Sequence, residues 1–157
     1  MTVLELARRT GKTLIRKRLS LSVCESCTGG MLGSILTSIP GSSQYFLGGI
    51  IAYSDKTKKD IVGVRSVTLK NHGAVSVDVA KEMAQGVQKL LGSDIGLGIT
   101  GIAGPSGGTK KKPVGLVYVS LSHKEHILVK RFLFRGKREQ IRKKVCKAAL
   151  LLLTRHI

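Results

Sequence analysis

The 157-residue sequence predicts an α/β layered sandwich with a mainly parallel sheet. Three observations carry that expectation. Segments with helical apolar spacing alternate with short apolar strand segments through the first hundred residues. The last third reads as two adjacent strands and a long helix. Glycine-rich loops stand directly after strand ends, where sheets of this class bind their ligands.

The elements follow in order. Thr2 and Glu5 form a capping box for an amphipathic helix that aligns Val3, Leu6, Ala7 and Leu14 on one face. Leu19, Leu21 and Val23 alternate with Ser20, Ser22 and Cys24, which predicts a half-buried strand. Met31, Leu32, Ile35 and Leu36 recur at helical spacing until the breaker pair Pro40-Gly41, and Gly41-Ser42-Ser43 turns the chain into a strand over 48–53. Ser54 and Asp55 cap a short basic helix carrying Lys56, Lys58 and Lys59, anchored by Ile61 and Val62 and stopped by Gly63. After a turn at Asn71-His72-Gly73, Ser76 caps a helix with Val79, Met83, Val87 and Leu90 inside.

The third strand is 95–99, and it opens into Thr100-Gly101-Ile102-Ala103-Gly104-Pro105-Ser106-Gly107-Gly108-Thr109, a loop whose four glycines imply a close backbone approach. Residues 114–121 are nearly all apolar, a strand buried on both faces, and 127–134 pair with them as an antiparallel hairpin. The final helix turns Ile141, Val145, Ala149 and Leu152 inward and Arg138, Arg142, Lys143, Lys144 and Lys147 mostly outward.

Composition bounds the function classes. The length and 42% hydrophobic content fit one domain with a real core, and no apolar run approaches the roughly 20 residues of a membrane helix. A cytoplasmic location is expected. Cys24 and Cys27 have redox-motif spacing, but with one further cysteine and scattered histidines they read as buried thiols rather than as a redox or zinc site. Net charge is +18, and +12 of it lies in residues 101–157. Such a field attracts nucleotides or nucleic acid without naming either. Aromatic residues make up only 4% of the chain, so the stacking platforms of single-strand binders are scarce.

The run Glu25-Ser26-Cys27-Thr28-Gly29-Gly30 joins the first strand to the following helix. Ser26 there fits either a helix cap or a nucleophile, and Thr28, Gly29 and Gly30 offer a hydroxyl and backbone N–H groups to an anion or an oxyanion. Ser26, Tyr53, Ser54 and Thr100 all follow strand ends, so a parallel arrangement clusters them around one crevice. A serine nucleophile needs a base, and none of the four histidines lies in a strand-end loop with another candidate group. Lys58, one helical turn beyond Tyr53 and among other cations that depress its pKa, is the better candidate. A solvated surface lysine is the alternative.

Six ordered motifs resemble the CinA C-terminal-domain family: Glu25 to Gly30; Pro40-Gly41-Ser42-Ser43 with Phe46; Tyr53-Ser54-Asp55 with Lys58; His72-Gly73-Ala74-Val75-Ser76; Gly101-Ile102-Ala103-Gly104-Pro105 with Gly107-Gly108; and Lys112-Pro113-Val114-Gly115. The resemblance runs from about Val3 to the last helix. It implies a three-layer α/β/α sandwich on a five-stranded mixed sheet with one antiparallel strand. It also implies a nicotinamide-nucleotide amidase that converts nicotinamide mononucleotide to the acid and ammonia without metal or cofactor. Carried over by position, Ser26 is the nucleophile, Lys58 the base and Tyr53 a hydrogen-bonding partner. Substrate contacts come from Thr28, Gly29, Gly30, Ser43, Thr100, Gly101 and Arg138. A homodimer is implied as well. Many relatives carry an N-terminal molybdopterin-binding-like domain that has no counterpart in these residues. The sequence departs from the usual pattern at Cys24 (Ala), Asp55 (Asn) and Lys137 (Asp). The rival expectation is a non-catalytic anion- or nucleic-acid-binding module on the same fold, with nucleic acid held by charge alone.

Overall fold

The computed structural model describes residues 1–157. In chain order the elements are α1 (Val3–Lys17), β1 (Leu21–Glu25), α2 (Met31–Thr37), a 3-10 turn (Ser42–Gln44), β2 (Phe46–Ile51), α3 (Asp55–Thr57) continuing as a π-helical turn (Lys58–Val62), α4 (Ser66–His72), α5 (Val77–Leu91), β3 (Ile95–Gly101), β4 (Leu116–His123), β5 (His126–Leu133) and α6 (Arg138–His156). The five strands form one sheet in the order β2-β1-β3-β4-β5. β1 runs parallel to β2 and β3, while β4 is antiparallel to both β3 and β5, which makes it the single reversed strand.

Helices cover both faces. On one side α1, α2 and α6 bury Leu6, Leu14, Leu32, Leu36, Val145 and Leu153 against Val23, Leu97, Ile99, Val117 and Val119. On the other, α5 packs Val79, Met83 and Val87 with Cys24, Ala52, Val62 and Val64. That second contact is close because Gly96 and Gly98 lack side chains: a Cβ on Gly96 would sit 2.1 Å from the Ala84 carbonyl oxygen, and one on Gly98 2.7 Å from that of Ala80. The Thr2–Glu5 capping box and the αL stops at Gly63 and Gly92 lie where expected.

Several expectations change. α4 carries no cap signal: Arg65 stands at its N-cap, and the structure supplies the missing acceptor from α5, where Glu82 takes both the Arg65 N–H and the Thr68 hydroxyl. Leu90, expected inside, is half exposed, because Val79, Met83 and Val87 already fill the face that meets the sheet. The second strand ends at Ile51, so Ala52, Tyr53 and Ser54 form the loop beyond it.

The path from β1 to β2 goes to one side of β1, and the chain then crosses to β3 on the other side. The carboxyl ends of β1 and β3 therefore flank a topological switch point, the usual location of a ligand crevice.

Candidate active site

Beyond those strand ends lies a cleft of about 330 Å³ lined by Ser26, Tyr53, Asp55, Lys58, Thr100 and Arg138, with the Ala74-Val75 and Gly101–Gly107 loops completing its walls. Ser26 is held immediately after β1 by its N–H, which donates to the Ile99 carbonyl. Lys58 opens the π-helical turn beyond β2, and its side chain is buried. Only 2% of Lys58 is exposed, and Nζ donates to Ser26 Oγ at 3.1 Å and to the Tyr53 carbonyl at 3.0 Å.

The lysine pKa is lowered from its ordinary value. Burial is the cause, since a desolvated ammonium is disfavoured, and it outweighs the nearby Asp55 carboxylate, which acts in the opposite direction. The neighbouring cations expected from the sequence are not the origin of the shift. Burial also pushes the Cys24 and Cys27 thiols up, to about 12 and about 11. All three cysteines are free and buried, and Cys24 and Cys27 pack into different cores.

The run after Ser26 differs from expectation. Gly30, in left-handed conformation, is the N-cap of α2, so Ser26 is not the cap. The anion at this helix end is Glu25, a buried residue whose carboxylate accepts from the N–H groups of Gly30, Leu32 and Gly33 at 3.2, 3.1 and 2.8 Å. The Gly29 N–H donates to the Ser26 carbonyl. Neither glycine therefore offers a free donor to a ligand. Thr28 is buried and lies outside the cleft lining, where its carbonyl accepts from Arg142 at 2.7 Å. The backbone N–H groups of Cys27 and Thr28 donate to no backbone carbonyl.

The remaining residues divide. Thr100 and Gly101 line the cleft, and the Thr100 hydroxyl donates to the Ala74 carbonyl at 2.7 Å, pinning one wall. Arg138, at the start of α6, reaches over the cleft to donate to the Gly104 carbonyl at 2.8 Å and to the Tyr53 hydroxyl at 3.1 Å. Ser43 does not belong to this site. It is exposed in the 3-10 turn before β2, and since the cleft lies beyond the carboxyl end of that strand, Ser43 sits at the opposite edge of the sheet. Sequence reasoning missed Glu25, whose signal is a carboxylate ending a strand before a helix that has no Ser, Thr, Asp or Asn at its cap position.

The model of the CinA C-terminal domain matches residues 3–157. The chain belongs to the CinA C-terminal domain family. A CinA-like protein from Syntrophomonas wolfei is 52% identical over 137 residues, covering 87% of this chain and 33% of that protein. A competence-damage inducible protein from Moorella thermoacetica is 50% identical over 148 residues, covering 94% of this chain and 36% of that protein. This CinA domain thus spans about a third of the length of the curated relatives it matches. Among solved structures, competence damage-inducible protein A from Klebsiella pneumoniae superposes with a TM-score of 0.97 at 32% identity, covering 99% of this chain and 97% of that one. The competence/damage inducible protein from Agrobacterium tumefaciens gives 0.94 at 37% identity, covering 96% and 93%. The CinA fold, a five-stranded mixed sheet with helices on both sides, is thereby established for the chain. No helix is long and apolar enough to cross a membrane.

Proposed function

We propose that this CinA domain is an amidase that hydrolyses the carboxamide of nicotinamide mononucleotide to nicotinate mononucleotide and ammonia. The observation that carries the reading is the 3.1 Å contact between Lys58 Nζ and Ser26 Oγ at the floor of a cleft that Arg138 overhangs. Burial lowers the lysine pKa and so favours the neutral amine that a base must be, and Ser-Lys pairs are an attested alternative to the His-based triad.

In the first step neutral Lys58 takes the Ser26 proton as Oγ attacks the carboxamide carbon. The carbonyl oxygen becomes an oxyanion, and the backbone N–H of Cys27, which lines the cleft directly after Ser26 and donates to no backbone carbonyl, is the donor placed to receive it. The C–N bond then breaks, the Lys58 ammonium returns its proton to the leaving nitrogen, and ammonia departs. The resulting ester on Ser26 is opened by water, with Lys58 again accepting a proton and returning it to Oγ. Arg138 is the cation placed to pair with the substrate phosphate, and Tyr53 holds that guanidinium through its hydroxyl while positioning Lys58 through its carbonyl. The mechanism requires no metal or cofactor.

Ammonia release on incubation with nicotinamide mononucleotide tests the reading. Wild-type protein releases it and Ser26→Ala loses at least about a thousandfold in rate, in line with removal of a covalent nucleophile. Absence of release from wild type, or retention by Ser26→Ala, overturns the assignment. A homodimer belongs to the same reading: β2 is an edge strand and leaves Leu47 and Ile51 exposed, and sedimentation velocity measures the state directly.

A further inference from the structure

Charge is distributed unequally between the two helical layers. The layer built from α1, α2 and α6 carries eleven Lys and Arg against Glu5 and Glu139, whereas α5 on the opposite face carries Lys81 and Lys89 against Asp78 and Glu82 and is neutral. The first set is also exposed and largely unpaired. Arg8, Arg9, Lys12 and Arg16 on α1 and Lys144, Lys147 and Arg155 on α6 face solvent without a carboxylate partner, and the only ion pair in that layer joins Lys143 to Glu139. The two helices lie side by side, with Thr10 Oγ1 2.7 Å from Thr154 Oγ1.

Arg8, Lys12 and Arg16 are spaced four residues apart, as are Lys143 and Lys147, so each row repeats a cation about every 6 Å. Along their helices Arg8 to Arg16 span about 12 Å and Lys143 to Arg155 about 18 Å. The cleft opens elsewhere, beyond the strand ends, and only Arg138 and Arg142 link the two regions.

We propose that the α1/α6 layer is a docking face for double-stranded nucleic acid, bound through its phosphates without base readout and independently of the cleft. The chemistry selects this occupant in two ways. The row of unpaired cations Arg8, Lys12 and Arg16 at regular spacing, with Lys144, Lys147 and Arg155 beside it on α6, matches the closely spaced phosphates of a duplex, and neutralising them releases counterions. A single strand is disfavoured because no aromatic residue lies on α1 or α6 to stack against unpaired bases. On the opposite side α5 is neutral, and α3, the π-helical turn and α4 add Lys56, Lys58, Lys59 and Lys70 against Asp55 and Asp60, so the field there is far weaker.

Fluorescence anisotropy with labelled 20-base-pair DNA duplexes of two unrelated sequences, titrated with the full chain across a salt series, tests the proposal. Six phosphate contacts give a slope of log affinity against log salt of about −5 and an affinity loss of about a thousandfold between 50 and 200 mM salt. The triple variant Arg8→Gln/Lys12→Gln/Arg16→Gln makes that slope shallower by about three. Lys70→Gln/Lys81→Gln/Lys89→Gln, which removes the same net charge from the other side of the sheet, leaves it within about one of wild type. Circular dichroism and thermal melts confirm that both variants fold. Equal weakening by the two variants reduces the binding to bulk charge and overturns the face. Tighter binding to a single-stranded oligonucleotide than to the duplex, or a more than tenfold preference between the two sequences, also overturns it.

Discussion

Arg138 Nη2 donates to the Tyr53 hydroxyl at 3.1 Å, so a residue opening the last helix and one following the second strand, 85 positions apart, close one rim of the cleft together. The Tyr53 hydroxyl is thereby turned to the rim, while its carbonyl faces Lys58. On the proposed reaction, Tyr53→Phe loosens Arg138 and raises KM about threefold to tenfold while kcat stays within about twofold. Steady-state kinetics distinguish the roles, since a fall in kcat of about a hundredfold places the hydroxyl in the proton path instead.

Lys58 gives the reaction its pH dependence. The base is the neutral amine, and burial lowers its pKa, so kcat/KM rises with pH through the folded-state value. Asp55 acts in the opposite direction, so Asp55→Asn shifts that rise to lower pH. A pH-rate profile of both proteins measures the displacement, and a shift to higher pH contradicts the electrostatics argued here.

The same lysine sets a stability term with the opposite sense to a surface ion pair. In the unfolded chain it keeps its proton up to the ordinary lysine pKa, whereas the folded chain releases it earlier. The unfolded state therefore binds more protons between the two values, and stability from this group is gained as pH climbs through that window. Lys58→Met removes the gain and, on the proposed reaction, abolishes turnover. Denaturant midpoints measured against pH show a flatter profile for the variant, and an identical profile removes Lys58 as the origin.

Glu25 supports the site from beneath. Its carboxylate satisfies three N–H groups of the first turn of α2, next to the serine that ends the strand connection. Glu25→Ala leaves those donors buried without partners and costs about 3 kcal/mol or more, while Glu25→Gln keeps one acceptor oxygen and costs about 1–2 kcal/mol. Urea unfolding reads both, and a cost below about 0.5 kcal/mol for the alanine variant rules out this capping role.

At the start of α6, Lys137 occupies the N-cap and makes no side-chain cap, placing a cation where the helix dipole is positive. Lys137→Asp supplies an acceptor and reverses the charge. The gain is about 1 kcal/mol, or about 3 °C in melting temperature for a chain of this size. Calorimetry checks it.

The parts of the fold visible in the sequence were those with local causes. Val79, Met83 and Val87 at helical spacing and the stops at Gly63 and Gly92 depend only on near neighbours, whereas the alternation at Leu21 and Val23, which predicts a half-buried strand, misleads: β1 is central in the sheet and buried on both faces. Strand-end reasoning brings Ser26, Tyr53 and Thr100 to one cleft because chain direction decides that placement, whereas Ser54, expected beside them, caps α3 by accepting from the Thr57 N–H and does not line the cleft. The failures share a different origin. α4 depends on Glu82, 17 residues beyond Arg65; the Gly30 N–H is taken by the Glu25 carboxylate and that of Gly29 by the Ser26 carbonyl; and Ser43 follows motif position while sheet direction puts it at the far end of β2. None of these is encoded in apolar periodicity. Lys58 belongs with these: its place is legible, but the cause of its shifted pKa is burial, not the neighbouring cations.

The three buried thiols make this CinA domain a reporter of its own opening. Cys24 and Cys27 flank the reactive strand end, and Cys146 lies in the core face of α6, all with thiol pKa values raised by burial. An alkylating reagent reaches them only through excursions from the native state, because both the thiolate fraction and the access are suppressed in the closed form. Their labelling rates, resolved by mass spectrometry, therefore time how often the floor of the cleft unlocks compared with the core behind it, with no probe added to the molecule.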